Sequence, residues 1–194
     1  MKQHWKPGTM LNPLPVVLVS CGDAEESNLI TVAWVGTVCT NPPMLSISVR
    51  PSRYSYDIIK RTGEFTVNLT TASMCNATEL CGVRSGRDHN KWDATGLTPI
   101  PGVAVSCPAV EQSPVNIECK VRQIVPLGSH DMFIAEVVNV MADEAYINPE
   151  TGAFDLGAAD LITYSHGKYY GTGPLLGHFG FSVRKKTKKK KNIT

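Results

Sequence analysis

The chain has 194 residues, 42% of them hydrophobic and 19% charged, enough for one sizeable core, and no Ser/Gly-rich linker divides it. The formal net charge of +2 hides an asymmetry: Arg184, Lys185, Lys186, Lys188, Lys189, Lys190 and Lys191 all fall in residues 184–194, leaving twelve cations against seventeen acids, a charge of −5, in residues 1–183. We therefore read one domain over 1–183 and a solvated basic end over 184–194, and without aromatic or RNA-binding motifs among the lysines no nucleic-acid partner is expected.

Residues 1–20 are positively charged, but Pro7, Pro13 and Pro15 interrupt them, and the apolar run 16–19 is too short for a signal core or a membrane span. Neither export nor membrane insertion is expected, which points to a cytoplasmic chain. Cys21, Cys39, Cys75, Cys81, Cys107 and Cys119 contain no Cys-x-x-Cys pair, so reduced, buried thiols and no metal site are expected. Along the chain, runs 16–21, 30–34, 44–49, 65–69, 115–125 and 132–141 are rich in β-branched or aromatic residues and bounded by Gly, Pro, Asn or Asp. Such spacing predicts a closed or nearly closed β-barrel. Two helices interrupt it. The first covers 53–63, with Ser52 or Ser55 as cap, Ile58 and Ile59 facing the core, and Gly63 as the left-handed terminus. The second covers 73–81 from Ser73, although Asn76 stands where a capping box wants Glu or Gln.

Chemistry gathers at the start of the first helix. Its leading N–H groups and positive dipole end favour an anion, and Arg50, Ser52, Arg53 and Ser55 surround it. On this segment alone a phosphate site and an ordinary capped turn are equally consistent. The loop CGVRSGRDHNKW, residues 81–92, adds Arg84, Arg87 and Lys91 among small residues. It reads as a surface loop unless the fold brings it beside Arg53. The glycines of residues 171–177 have neither the spacing nor the strand-turn-helix setting of a dinucleotide fingerprint and read as a loop leading into a helix.

Over the stretch NLITVAWVGTVCTNPPMLSISVRPSRYSYDIIKRTGEFTVNL, then CGVRSGRDHNKW, LGSHDMFIAEVV and GKYYGTGPLLGHFGFSV, the chain resembles the flavoredoxin branch of the flavin reductase-like, FMN-binding split-barrel family. This resemblance implies a mainly β fold, a Greek-key split β-barrel with a few short helices, working as a homodimer with FMN at the subunit interface. It implies that Asn28, Thr31, Val32, Ala33 and Trp34 run along the ribityl chain and ring, with Ser48 and Cys81 nearby. Arg53 and Ser55 would bind the phosphate with Arg50 in support, Arg being suited by its planar fork. Lys91 and Ser85 would reach in from the loop, and Tyr164 would stand beside the flavin. His130 is the candidate catalytic residue, although Ser129 replaces the acid that relatives carry before it. The implied function is an FMN-dependent oxidoreductase that moves electrons from NADH, NADPH or a redox protein through FMN to an acceptor. The alternative is a non-enzymatic flavin-binding electron carrier or sensor, favoured by the missing acid.

Overall fold

Apolar alternation shapes the first half of the chain into β1 (Leu14–Pro15), β2 (Val17–Gly22), β3 (Ser27–Val32), β4 (Val35–Cys39) and β5 (Met44–Val49), followed by α1 (Tyr54–Thr62) and β6 (Glu64–Leu69). Next come α2 (Cys75–Val83), α3 (Lys91–Thr95), the short strands β7 (Pro99–Ile100) and β8 (Ala109–Val110), the long β9 (Val115–Pro126) and β10 (Asp131–Ala142), and finally β11 (Ile162–Ser165) and β12 (Lys168–Gly171). This computed structural model describes residues 1–183, so the basic segment 184–194 lies outside the described residues.

The main sheet is antiparallel with strand order β3-β2-β6-β9-β10-β5-β4. Its two end strands, β3 and β4, are consecutive in the chain with only Ala33 and Trp34 between them. Through that junction the sheet rolls onto itself, and the amide of Ser48 donates to the carbonyl of Trp34 at 2.9 Å, carrying the β4–β5 pairing into the junction. The run 30–34, expected as one strand, is therefore broken after Val32, because one continuous segment serves both edges of the barrel. Register shifts at Ile134/Ala135 and Val137/Asn139 mark bulges in the β9–β10 hairpin, which bend and twist strands of this length around the barrel.

Inside the barrel, Val17, Val19, Ile30, Val32, Leu45, Ile47, Phe65, Val67 and Phe133 pack with Tyr56, Ile58 and Ile59 of α1. A second cluster lies on the outer face of β2 and β3, where Leu18 and Leu29 meet Met74, Cys81, Trp92, Leu97 and Val110. Two covered faces explain why every residue of β2 is buried, and why that run reads as continuously apolar rather than alternating. Polar groups trapped between the layers are paired. The Asn68 amide donates to the Leu18 carbonyl at 3.0 Å and accepts from the Val110 amide and Asn116. The fully buried Glu118 carboxylate accepts from the amides of Val103 and Ala104 at 2.6 and 2.7 Å.

The helices differ from expectation in how they begin. α1 ends as expected, with Gly63 in the left-handed region at φ 68°, but its N-cap is Arg53 and no side chain caps it. Ser55 is occupied elsewhere, and Ser52 contributes only its carbonyl. The segment at 73 opens as a 3-10 turn, Ala72–Met74, before α2. Ser73 hydrogen-bonds Thr71 at 2.8 Å instead of capping, consistent with Asn76 lacking the reach of a capping-box partner. Part of the expected 81–92 loop is helical: Asn90 accepts from the amides of Trp92 and Asp93, and Gly96 ends α3 at φ 69°. The glycine-rich 171–177 segment ends β12 and stays irregular until a 3-10 turn at Phe181–Val183. Among the described residues, no helix is long and apolar enough to cross a membrane.

Candidate functional site

A groove runs along the barrel seam and over the start of α1. It comprises two abutting cavities of about 160 and 210 Å³, with Ile30 and Arg53 lining both. Ala33 and Trp34 lie between the two end strands, and Thr31, Val32, Ala33 and Trp34 form one wall of the first cavity. Ser48, Val49, Arg50 and His130 complete the cavity with the shared Ile30 and Arg53. In the second cavity stand Asn28, Ser55, Cys81, Ser85 and Lys91, with Arg84 and Arg87 from the loop after α2. The fold thus brings that loop beside Arg53, the condition on which its relevance depended. Tyr164 lines neither cavity. It is half-buried in the separate β1-β11-β12 sheet, edge-on to Tyr169 at 5.5 Å.

Several of these side chains already hold one another. The Asn28 amide donates to Ser55 Oγ at 2.7 Å, joining β3 to α1, and Thr31 Oγ1 donates to the carbonyl of Thr78 in α2. Lys91 is buried, with Nζ donating to the carbonyls of Leu29 and Cys81 at 2.7 Å each. Burial lowers its pKa, and an ammonium has three donors, so one N–H remains for the cavity it lines. The Cys81 thiol is pushed up to about 11 by burial, which leaves it protonated at neutral pH and unsuited to attack.

Charge in the groove has one sign. Arg50, Arg53, Arg84, Arg87 and Lys91 line it, and no carboxylate does. Among the described residues the ion pairs are Arg61–Glu26, Lys120–Glu64 and Arg122–Glu136, all made by residues outside this lining. With the N-terminus of α1 uncapped as well, side chains and backbone of the second cavity together favour an anion. At the other end the His130 ring lies 4.3 Å from that of Trp34, centroid to centroid, and Ser129 Oγ lies 2.9 Å from its Nδ1. Desolvation, then the charges of Arg50 and Arg53, hold the His130 pKa below its ordinary value. The neighbouring Asp131 accepts from Tyr56 Oη at 2.6 Å, which ties the first residues of β10 to α1.

Sequence reasoning did not single out Tyr54 or the glycines within residues 81–87. The Arg87 guanidinium lies 5.6 Å from the Tyr54 ring centre. A Cβ on Gly86 would stand 2.3 Å from Asn28 Oδ1 and 2.6 Å from Tyr54 Cδ1, and one on Gly82 would stand 3.3 Å from Thr31 Cβ. These glycines let the end of α2 and the loop after it lie flush on the groove, and their spacing in CGVRSG was the available signal. The whole arrangement, aromatic at one end and cationic at the other, fits an elongated ligand with a flat ring and an anionic tail.

Comparison with known proteins agrees with this geometry. The structure is similar to flavoredoxin of Desulfovibrio vulgaris (Miyazaki F), at 29% identity and a TM-score of 0.87, covering 95% of this chain and 100% of that one. It is likewise similar to flavoredoxin from Methanosarcina acetivorans, at 26% identity and a TM-score of 0.84 over the same shares. In sequence the chain is 25% identical over 139 residues to an NADH-dependent FMN reductase of Streptomyces nodosus subsp. asukaensis, covering 72% of this chain and 74% of the relative. The model of the flavin reductase-like domain matches residues 10–173, and the chain belongs to that family.

Proposed function

We propose that the groove binds FMN and that the protein is an FMN-dependent oxidoreductase, passing electrons from NADH, NADPH or a redox protein to an acceptor. The observation that carries this reading is the acid-free groove, cationic from Arg53 to Arg87 and closed at its far end by Trp34 and His130. Bound flavin supplies the electron and hydride chemistry. The chain supplies the rest. Arg53, Lys91 and the first turn of α1 hold the phosphate, with Arg84, Arg87 and Ser85 around it. The strand edge at Thr31–Trp34 offers backbone groups to the ring, and small Ala33 permits close approach.

His130 acts as a neutral imidazole, since its depressed pKa keeps it unprotonated at neutral pH. Ser129 Oγ engages Nδ1, leaving Nε2 as the ring nitrogen that can exchange a proton. Trp34 is 40% exposed, and an apolar hollow of about 510 Å³ continues from Ala33 and Trp34 to Met10, Leu11 and Val38. A second copy of the chain over this surface would complete the site as a homodimer, and the mass of the protein in solution tests that assembly.

The same Ser129 favours a second reading, a flavin-binding electron carrier or sensor, because no acid stands immediately before His130. Rapid mixing of the flavin-loaded protein with NADH and with NADPH separates the two. Bleaching of the flavin absorbance on a turnover timescale is expected for the oxidoreductase. A purified protein that is colourless and takes up no added FMN would remove both.

A further inference from the structure

The phosphate end of the groove is bounded by a wall, and carboxylates appear behind it. Arg87 forms the wall: its Nη1 donates to the carbonyl of Ser52 at 3.2 Å, and its guanidinium lies over the Tyr54 ring. Tyr54 is held from behind, its Oη donating to Glu26 Oε1 at 2.7 Å, while the other oxygen of Glu26 pairs with Arg61. Glu26 is fixed in its turn by the β2–β3 hairpin, where Asp23 Oδ1 accepts from the amides of Glu25 and Glu26 at 2.9 Å each. The loop presses on this wall without a gap, as the blocked Cβ position of Gly86 shows.

On the groove side of the wall are Arg53, Arg84 and Lys91 and no carboxylate. On the other side is a second cavity, of about 530 Å³, which shares Asn28, Tyr54, Gly86, Arg87 and Lys91 with the groove but adds the carboxylates of Glu25, Glu26 and Asp88. We infer that Arg87, Tyr54 and Glu26 set the nucleotide specificity of the site, so that it accepts a flavin ending in a phosphomonoester and rejects the dinucleotide. This rests on the flavin reading above.

A terminal phosphate is nearly dianionic at neutral pH and has three oxygens to offer. The one Arg87 donor engaged by Ser52 leaves others of its guanidinium for such a group. A dinucleotide bound in the same pose would replace the monoester by a diphosphate, with less charge on the inner phosphorus. It would also carry a second phosphate and an adenosine through the Arg87–Tyr54 contact and into the field of three carboxylates. Each of these differences acts against it: a weakened charge-assisted hydrogen bond, a broken stacking contact and like-charge repulsion.

The test is equilibrium titration of the flavin-stripped protein with FMN and with FAD, followed by quenching of flavin fluorescence. The unaltered protein is expected to bind FMN at least about tenfold more tightly than FAD. Arg87→Ala is expected to weaken FMN more than FAD, and Glu25→Gln with Glu26→Gln to tighten FAD several-fold while leaving FMN nearly unchanged. Because Gln at 26 keeps an acceptor for Tyr54, the second variant tests charge without dismantling the wall. Equal affinities in the unaltered protein would overturn the inference while leaving the flavin reading in place. A preference for FMN that stays the same in both variants would overturn the role of these residues. Binding of neither nucleotide would overturn the flavin reading, and this inference with it.

Discussion

The Trp34 and His130 rings lie 4.3 Å apart with their planes tilted by 44°, although 95 residues separate them in the chain. Trp34 sits at the seam where β3 passes into β4, and His130 at the turn from β9 to β10, so their contact is made across β5, with which both β4 and β10 pair. It also places His130 where desolvation and two arginines act on it together.

For His130 the consequence is a titration below the ordinary imidazole value of about 6.5. Removing a cation should raise it: in Arg50→Gln, the ring proton signals followed by NMR should titrate at higher pH than in the unaltered protein. The sign for stability follows from the same shift. A folded-state pKa below the unfolded one means that the contribution of this residue is complete above the unfolded pKa and is lost as pH falls through the folded value. His130→Asn should therefore flatten the fall in stability in that acid window, as measured by urea unfolding at a series of pH values.

Arg53 gives a clean separation of binding from folding. It is the N-cap residue of α1, yet its side chain makes no capping bond, so Arg53→Ala removes the proposed phosphate ligand without removing a cap. FMN binding should weaken by about 1.5–3 kcal/mol, the range for a hydrogen bond to a charged group, with an unchanged melting temperature in the absence of flavin. Equal FMN affinity in the two proteins would place the phosphate elsewhere.

Lys91 should behave in the opposite way. Its ammonium joins β3, through Leu29, to the end of α2, through Cys81. Lys91→Met would leave two buried carbonyls without that donor, each worth about 1–3 kcal/mol when orphaned. A lower denaturation midpoint in the flavin-free protein is the expected outcome, together with weaker flavin binding. A variant that binds poorly but unfolds like the parent would contradict the structural half of this assignment.

Gly86→Ala tests how closely the loop lies on the site. The added methyl would overlap Asn28 Oδ1 and the Tyr54 ring, so the loop must lift from the groove. Flavin affinity should fall by about tenfold or more, read by fluorescence titration. Gly82→Ala, whose Cβ would meet only the Thr31 side chain at 3.3 Å, should be milder.

Local signals in the sequence were informative where they were self-contained. The Ile58–Ile59 pair and Gly63 mark α1 and its end, and the β-branched runs mark the main strands. α3 is short, but Asn90 and Gly96 bracket it with ordinary cap chemistry that a search for longer helices passes over. The break at Ala33–Trp34 has no local sign, because ITVAWVGTVC is uniformly β in character. Barrel closure imposes it. Ser55 could not be assigned from its neighbours for a related reason, since its partner, Asn28, is 27 residues away. At the site, basic residues near a helix start were visible but ambiguous. Family resemblance supplied the grouping, and the fold then brought every named candidate except Tyr164 to one groove.

The seam at Ala33–Trp34 makes the wall of the groove inseparable from the integrity of the domain. A lid or flap can open while the rest of a protein stays folded. Here Ala33 and Trp34 join the two end strands covalently and the Ser48 amide ties that junction to β5, so the amides along this wall should exchange with solvent only in the rare openings that loosen the barrel. Anything bound against the wall is then coupled to global unfolding rather than to local breathing, and its binding energy is distributed over the whole domain.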